Sequence, residues 1–306
     1  MQSVIQVEHL RKAYGPLNAV DDISFEVNAG EIFGVVGPNG AGKTSTVECI
    51  EGLRERSEGT IRVLGYDPQK DRYALRSRIG VQLQEAALPD RLKVMEALDL
   101  YSSFYPHFVN LTTLLEQVGL TEKRTTRFAR LSGGQKQRLF IALALLHDPE
   151  IVFLDELTSG LDPQARRVMW EMVRDMRKRG KTIFLITHSM EEAERLCDRV
   201  AIVDSGRLVA LDTPEHLIRD LGAESQVIFT VDDTPDLEQL RILPEVRHVQ
   251  QVEDRVILTG KHDGDTLLSS VVQALPTSGI RYHDIRTQRP TLDDVFLQLT
   301  GRTIRD

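Results

Sequence analysis

Apolar and polar positions alternate through Val4-Ile5-Gln6-Val7 and again through Ile23-Ser24-Phe25-Glu26-Val27. A period of two is that of a strand with one dry face, so both segments predict half-exposed antiparallel strands. Ile32-Phe33-Gly34-Val35-Val36 is instead apolar almost throughout, as are Ile151–Leu154 and Thr182–Ile186. Unbroken apolar runs of this length predict strands covered on both faces. Helices are expected from Thr44 to about Glu51 and from Gln164 to Arg179, and helical spacing dominates from about 85 to 150. Buried strands alternating with helices predict a parallel α/β core that carries a helical insertion.

The pattern changes after Leu221. Gly222-Ala223-Glu224-Ser225 reads as a linker, followed by β-like stretches at Gln226–Thr230 and Val256–Thr259. A segment bounded by Pro235 and Pro244 comes between them, and Asp265–Leu275 has helical spacing. The expected organisation is a first domain over 1–221 and a small α+β domain over 222–306. Near the end, Leu292, Val295, Phe296 and Leu299 fall on one helical stripe.

Composition narrows the class without naming a chemistry. Of 306 residues, 41% are apolar and 27% charged, as in a soluble globular protein. The apolar run from Leu139 to Leu146 stops at His147, well short of the ~20 residues a membrane span needs. Two cysteines, Cys49 and Cys197, suggest no disulfide framework and suit a reducing cytosol. The net charge of −8 leans away from a nucleic-acid surface, so no nucleic-acid partner is expected.

Chemistry enters at two glycine-rich turns. Gly37-Pro38-Asn39-Gly40-Ala41-Gly42-Lys43-Thr44, followed by Ser45, is a complete G-x-x-x-x-G-K-[ST] loop placed between a buried strand and a helix. Its glycines let the backbone wrap a phosphate chain, Lys43 adds a cation, and Thr44 offers a hydroxyl to Mg²⁺. Leu131-Ser132-Gly133-Gly134-Gln135 opens a second helix, with Ser132 as N-cap. Ile151–Leu154 then runs into Asp155 and Glu156, two carboxylates at a strand end that call for a compensating cation or proton.

The loop, the Leu131–Gln135 turn and the paired carboxylates, in that order, resemble the nucleotide-binding subunits of ATP-binding-cassette (ABC) transporters. The resemblance covers about residues 1–220. It implies a P-loop ABC ATPase core with an antiparallel β subdomain and a helical subdomain over about 85–150. ATP and Mg²⁺ are the implied ligands, with Asp155 holding the metal through water and Glu156 as the base that activates water. Tyr14 is similar to the aromatic that stacks on adenine, Gln84 to the glutamine that senses metal and water, and His188 to the switch histidine at the γ-phosphate. Ser159-Gly160-Leu161-Asp162 resembles the loop that couples two subunits. Ser132, Gly133, Gly134 and Gln135 would reach ATP held by a second subunit, in a homodimer or a heterodimer.

The tail Arg289–Gly301 resembles that of drug-exporter ATPases of the daunorubicin-resistance type. The implied setting is the cytoplasmic face of the cell membrane, beside an integral membrane transporter subunit. The competing expectation is a soluble ABC-type ATPase or a nucleotide-sensing regulator without transport. A P-loop kinase or small GTPase leaves Leu131–Gln135 unexplained. One position departs from the family, which usually has proline after the glutamate where this chain has Leu157. Proline restricts the residue before it, so leucine predicts hydrolysis that is slower but not absent.

Overall fold

The computed structural model describes residues 2–82, 87–220, 225–232, 235–260 and 264–301. It divides into two compact units, the first ending at Pro214 and the second starting at Glu215. The linker expected at 222–225 falls largely on residues outside the described set.

In the first unit, β1 (Ser3–Tyr14) and β2 (Leu17–Asn28) form an antiparallel hairpin. Next come β3 (Ile32–Val36), α1 (Lys43–Ile50), β4 (Glu58–Val63), the short α2 (Arg72–Arg76) and β5 (Ile79–Gln82). The helical insertion follows, with α3 (Val94–Ser102), α4 (Leu111–Gln117) and α5 (Gly133–Leu145). The chain then alternates β6 (Ile151–Asp155), α6 (Pro163–Lys178), β7 (Thr182–Thr187) and α7 (Met190–Leu196). A hairpin of β8 (Arg199–Asp204) and β9 (Arg207–Asp212) closes the sheet, and α8 (Pro214–Asp220) begins at the seam between units.

Two sheets share one core. The three-stranded sheet runs β2-β1-β4, with Ile5 opposite Val27 and Val63, and Val7 opposite Phe25 and Ile61. All six side chains are buried, because a shared register puts every apolar position on the same face. The six-stranded sheet runs β5-β6-β7-β3-β8-β9 and is parallel except for the last pair. A file of phenylalanines joins the sheets: Phe25 stacks on Phe33 at 5.2 Å, Phe33 meets Phe184 at 5.6 Å, and Phe184 meets Phe153 at 5.2 Å. Strand order sets the site, since β6, β7 and β3 are neighbours whose carboxyl ends open onto one edge.

The second unit is a four-stranded antiparallel sheet of β10 (Ser225–Val231), β11 (Val246–Val252), β12 (Arg255–Gly260) and β13 (Tyr282–Gln288), ordered β11-β12-β10-β13. It also carries α9 (Glu238–Arg241), α10 (Gly264–Thr277) and α11 (Leu292–Thr300). Leu267, Val271 and Leu275, one turn apart on α10, bury against Val227, Phe229 and Leu258. The expected terminal stripe is shorter than its spacing predicts. Leu292, Val295 and Phe296 are buried, but Leu299 is 47% exposed, because the last turn of α11 runs past the covered stretch and ends at Gly301. Among the described residues, no helix is long and apolar enough to cross a membrane.

Candidate active site

The glycine loop after β3 is a backbone cradle. Gly37 has φ 156° and Gly42 φ 96°, and both approach other backbone closely. A β-carbon on Gly37 would stand 2.0 Å from the Val203 carbonyl oxygen, and one on Gly42 would stand 2.2 Å from that of Ala19. No other residue fits either position without moving a strand. Inside the curl, the Lys43 ammonium is buried and donates to the carbonyls of Gly37 (2.8 Å) and Pro38 (2.9 Å). Burial pulls its pKa below the ordinary lysine value, while Glu156 and Asp155 pull it back up.

Across the cradle, β6 delivers the carboxylate pair. Burial pushes Asp155 up to about 6, with Glu156 and Glu48 adding to the rise and Lys43 opposing it. The Oδ1 atom of Asp155 is buried without a hydrogen-bond partner. Such an oxygen is costly unless something electropositive reaches it. No cluster of three His, Cys, Asp or Glu among the described residues could hold a metal ion. Mg²⁺, however, is ordinarily held by one or two carboxylates together with substrate phosphates. Asp155 and the Thr44 hydroxyl therefore fit a metal that arrives with a phosphate chain.

Glu156 is turned out of the strand by a left-handed backbone, φ 48°, which is uncommon for a side chain of its kind. Its amide donates to the Ile186 carbonyl at 2.9 Å. One carboxyl oxygen accepts from Ser159 Oγ at 3.1 Å, and the other lies 3.2 Å from His188 Nδ1. His188 comes from the end of β7, the strand between β6 and β3, so the fold places it beside both phosphate-facing elements. Leu157 is wholly buried directly after this turn.

These pieces line one cleft of about 560 Å³. Tyr14, Asn39, Gly40, Gly42, Lys43, Thr44, Ser45, Asp155, Glu156 and His188 all face it. Gly37, Pro38 and Ala41 do not line it, and the Ala41 carbonyl accepts from the Gly206 amide at 3.0 Å. Tyr14 stands at the mouth, its hydroxyl 3.3 Å from Ser45 Oγ. Lys12 and Arg54 lie 4.9 and 5.3 Å from its ring centre, a cationic setting that sequence reading missed because Arg54 comes from another part of the chain.

Ser132, Gly133, Gly134, Gln135 and Asp162 do not line this cleft. Ser132 caps α5 in a reciprocal box with Gln135, at 3.3 and 3.0 Å. Asp162 caps α6 through Oδ1, accepting from the amides of Gln164 and Ala165. Gln84 lies outside the described residues. A buried clamp also went unread: Glu192 accepts from Thr158 Oγ1 (2.9 Å) and Trp170 Nε1 (3.1 Å), tying the loop after Glu156 to α7. A glutamate on an ordinary helix gives no signal of this in one dimension.

Residues 20–159 match the family model described as ABC transporter. The linearmycin resistance ATP-binding protein LnrL of Bacillus subtilis (strain 168) is 36% identical over 312 residues, spanning 99% of this chain and 100% of that protein. The chain belongs to the ABC transporter family. The daunorubicin resistance ATP-binding protein DrrA3 of Streptomyces coeruleorubidus is 35% identical, spanning 98% of this cassette chain and 96% of its own. A solved ATP-binding subunit of an ABC transporter superposes with a TM-score of 0.65 at 31% identity, covering 72% of this chain and 93% of that one. The cassette is an ATP-binding subunit of the ABC transporter class, and an ATPase.

Proposed function

We propose that this cassette powers export through a separate integral membrane subunit, working as a pair on the cytoplasmic face of the membrane. Each protomer binds ATP in the cleft between the Gly37–Ser45 loop and the Asp155–Glu156 strand end. Tyr14 receives the adenine, Lys43 faces the outer phosphates, and Thr44 and Asp155, with Gln84, hold Mg²⁺ between them. When bound, the metal neutralises charge that builds on the phosphate oxygens. Glu156 orients and activates the attacking water, and His188, bonded to the glutamate, contacts the γ-phosphate.

A head-to-tail pair completes the site. One observation carries this part: the Ser132–Gln135 corner is outside the cleft of its own protomer while Ser132 and Gly133 remain exposed. A capped helix N-terminus with bare glycine backbone is suited to a phosphate brought by another chain. Asp162 lies on the loop after Glu156, where it would touch the partner, whether an identical or a related chain. The left-handed turn at Glu156 and leucine at 157 support hydrolysis that is slower than a proline would allow.

The test is a Glu156→Gln chain eluted with and without ATP. ATP should convert it from monomer to dimer. Adding Ser132→Arg should leave ATP bound to single protomers and abolish the dimer. An elution position indifferent to ATP, or to Ser132→Arg, overturns the paired site. Co-purification with a multi-span membrane protein encoded beside this chain tests the export reading.

A further inference from the structure

Another carboxylate, which does not line the cleft, stands behind Glu156 and His188. Glu192, on α7, is 1% exposed. Its Oε1 accepts two hydrogen bonds, from Thr158 Oγ1 at 2.9 Å and from Trp170 Nε1 at 3.1 Å. Its Oε2 is buried with no hydrogen-bond partner among the described residues. Burying a carboxylate with one oxygen unsatisfied costs free energy. A leucine or methionine would fill the same space without that cost, so packing alone does not account for a glutamate here.

The place of Glu192 in its helix shows what the carboxylate is for. Ser189 caps α7, its Oγ accepting from the Glu192 amide at 3.3 Å. A glutamate at this helical position ordinarily reaches back to the amide of the cap. Here that amide donates to Thr187 Oγ1 instead, at 3.0 Å. The carboxylate is thereby left for Thr158, on the loop that follows Glu156. The bonds then close a ring. Glu156 lies 3.2 Å from His188 Nδ1, and Ser189, next in the chain, caps the turn that presents Glu192. Glu192 holds Thr158, and the following residue, Ser159, donates to the other oxygen of Glu156 at 3.1 Å.

We propose that Glu192 is a positioning residue for ATP hydrolysis, fixing the loop after β6 against α7 so that Glu156 and His188 keep one mutual geometry. The proposal rests on the reading of Glu156 as the base that activates water. Glu192 does not face the cleft, so it acts through Thr158 and Ser159. The left-handed backbone of Glu156, φ 48°, persists only where its surroundings hold it. Ser159 restrains its carboxylate on one oxygen and His188 on the other, and Glu192 ties the two restraints together. Trp170 bonds to the same oxygen of Glu192 from α6, outside the ring.

The test measures kcat and KM for ATP in the full chain, with active sites counted by titration with a fluorescent nucleotide. Thr158→Val and Glu192→Met delete the same bond from its two ends. Each should lower kcat by about tenfold while KM stays within about twofold, because binding groups are untouched and only the aim of the base is lost. The double variant should lose no more than either single one, since both remove one interaction. Glu192→Gln keeps an acceptor oxygen and should recover most of the rate. Trp170→Phe leaves the Thr158 bond in place, so its melting temperature should fall while kcat stays within about twofold of wild type. Wild-type kcat in Glu192→Met overturns the proposal, and so do losses that multiply in the double variant. An equal loss of kcat in Trp170→Phe also overturns it, since that marks general loosening of the fold. If Glu156→Gln turns over as fast as wild type, the reading of Glu156 itself fails, which is a different result.

Discussion

Asp155, at the end of β6, and Glu51, just after α1 and only 6% exposed, are both carboxyls raised above the ordinary range by burial, and Asp155 adds to the rise at Glu51. Their surroundings differ in one respect. The cleft around Asp155 contains a built-in cation, Lys43, pinned by two backbone carbonyls and opposing the rise, so the carboxyl stays near 6. No cation is among the charges that act on Glu51, and its carboxyl climbs to about 8. The contrast separates two kinds of site. A cleft that must cycle a ligand at every turnover carries its own counter-charge, so it tolerates being empty. A buried carboxyl with no counter-charge beside it is held in its protonated form near neutral pH instead.

Four changes break or sharpen this contrast. The largest effect belongs to the cleft: Glu156→Gln should lower steady-state phosphate release by about 10²–10⁴-fold. Turnover within a factor of two of wild type removes Glu156 from the role of base. Next is the Glu51 carboxyl. Its folded pKa, about 8, lies above the unfolded value of 4.5. The folded state therefore keeps its proton where the unfolded state has lost it, and stability falls as pH rises from 4.5 to about 8. Glu51→Gln lacks this loss, so its melting temperature should match wild type near pH 4.5 and exceed it at pH 8.5. The gap is on the order of 4 kcal/mol. A gap independent of pH would show that Glu51 is not buried as described.

Lys43→Met makes the cleft resemble the surroundings of Glu51. Removing the opposing cation should raise Asp155 further and weaken ATP affinity by about ten- to a hundredfold, measured with a fluorescent nucleotide. Equal affinity would mean that Lys43 serves the loop alone. The smallest effect is expected from Leu157→Pro, with a several-fold gain in ATPase rate on the order of 1 kcal/mol in barrier. Loss of the buried leucine should lower the melting temperature at the same time. A colder melt with no faster turnover would sever Leu157 from the aim of Glu156.

Legibility in the sequence followed the physics of each element. β3, β6 and β7 were readable almost to the residue, because strands buried on both faces cannot mix in polar positions. The cradle was readable because only glycine tolerates the contacts at Gly37 and Gly42. Strands β4, β11 and β13 were not anticipated. β4 has only Ile61 and Val63 as apolar residues, and β13 is polar and largely exposed at a sheet edge, so neither carries a period-two signal. The two carboxyl environments also differed. The cleft announces itself through a contiguous motif, whereas Glu51 shares a second cavity with Tyr101, Phe140 and His147, which come from separate helical regions and meet only in space. The resemblance to ABC proteins supplied candidate partners for Ser132 and Asp162, but their visible work in one protomer is capping helices.

The phenylalanine file from Phe25 through Phe33 and Phe184 to Phe153 has a mechanical consequence. Interlocked rings resist being pried apart, so hairpin and parallel sheet travel as a single stiff slab when nucleotide comes and goes. Whatever swings in this motor must then be hinged outside that slab.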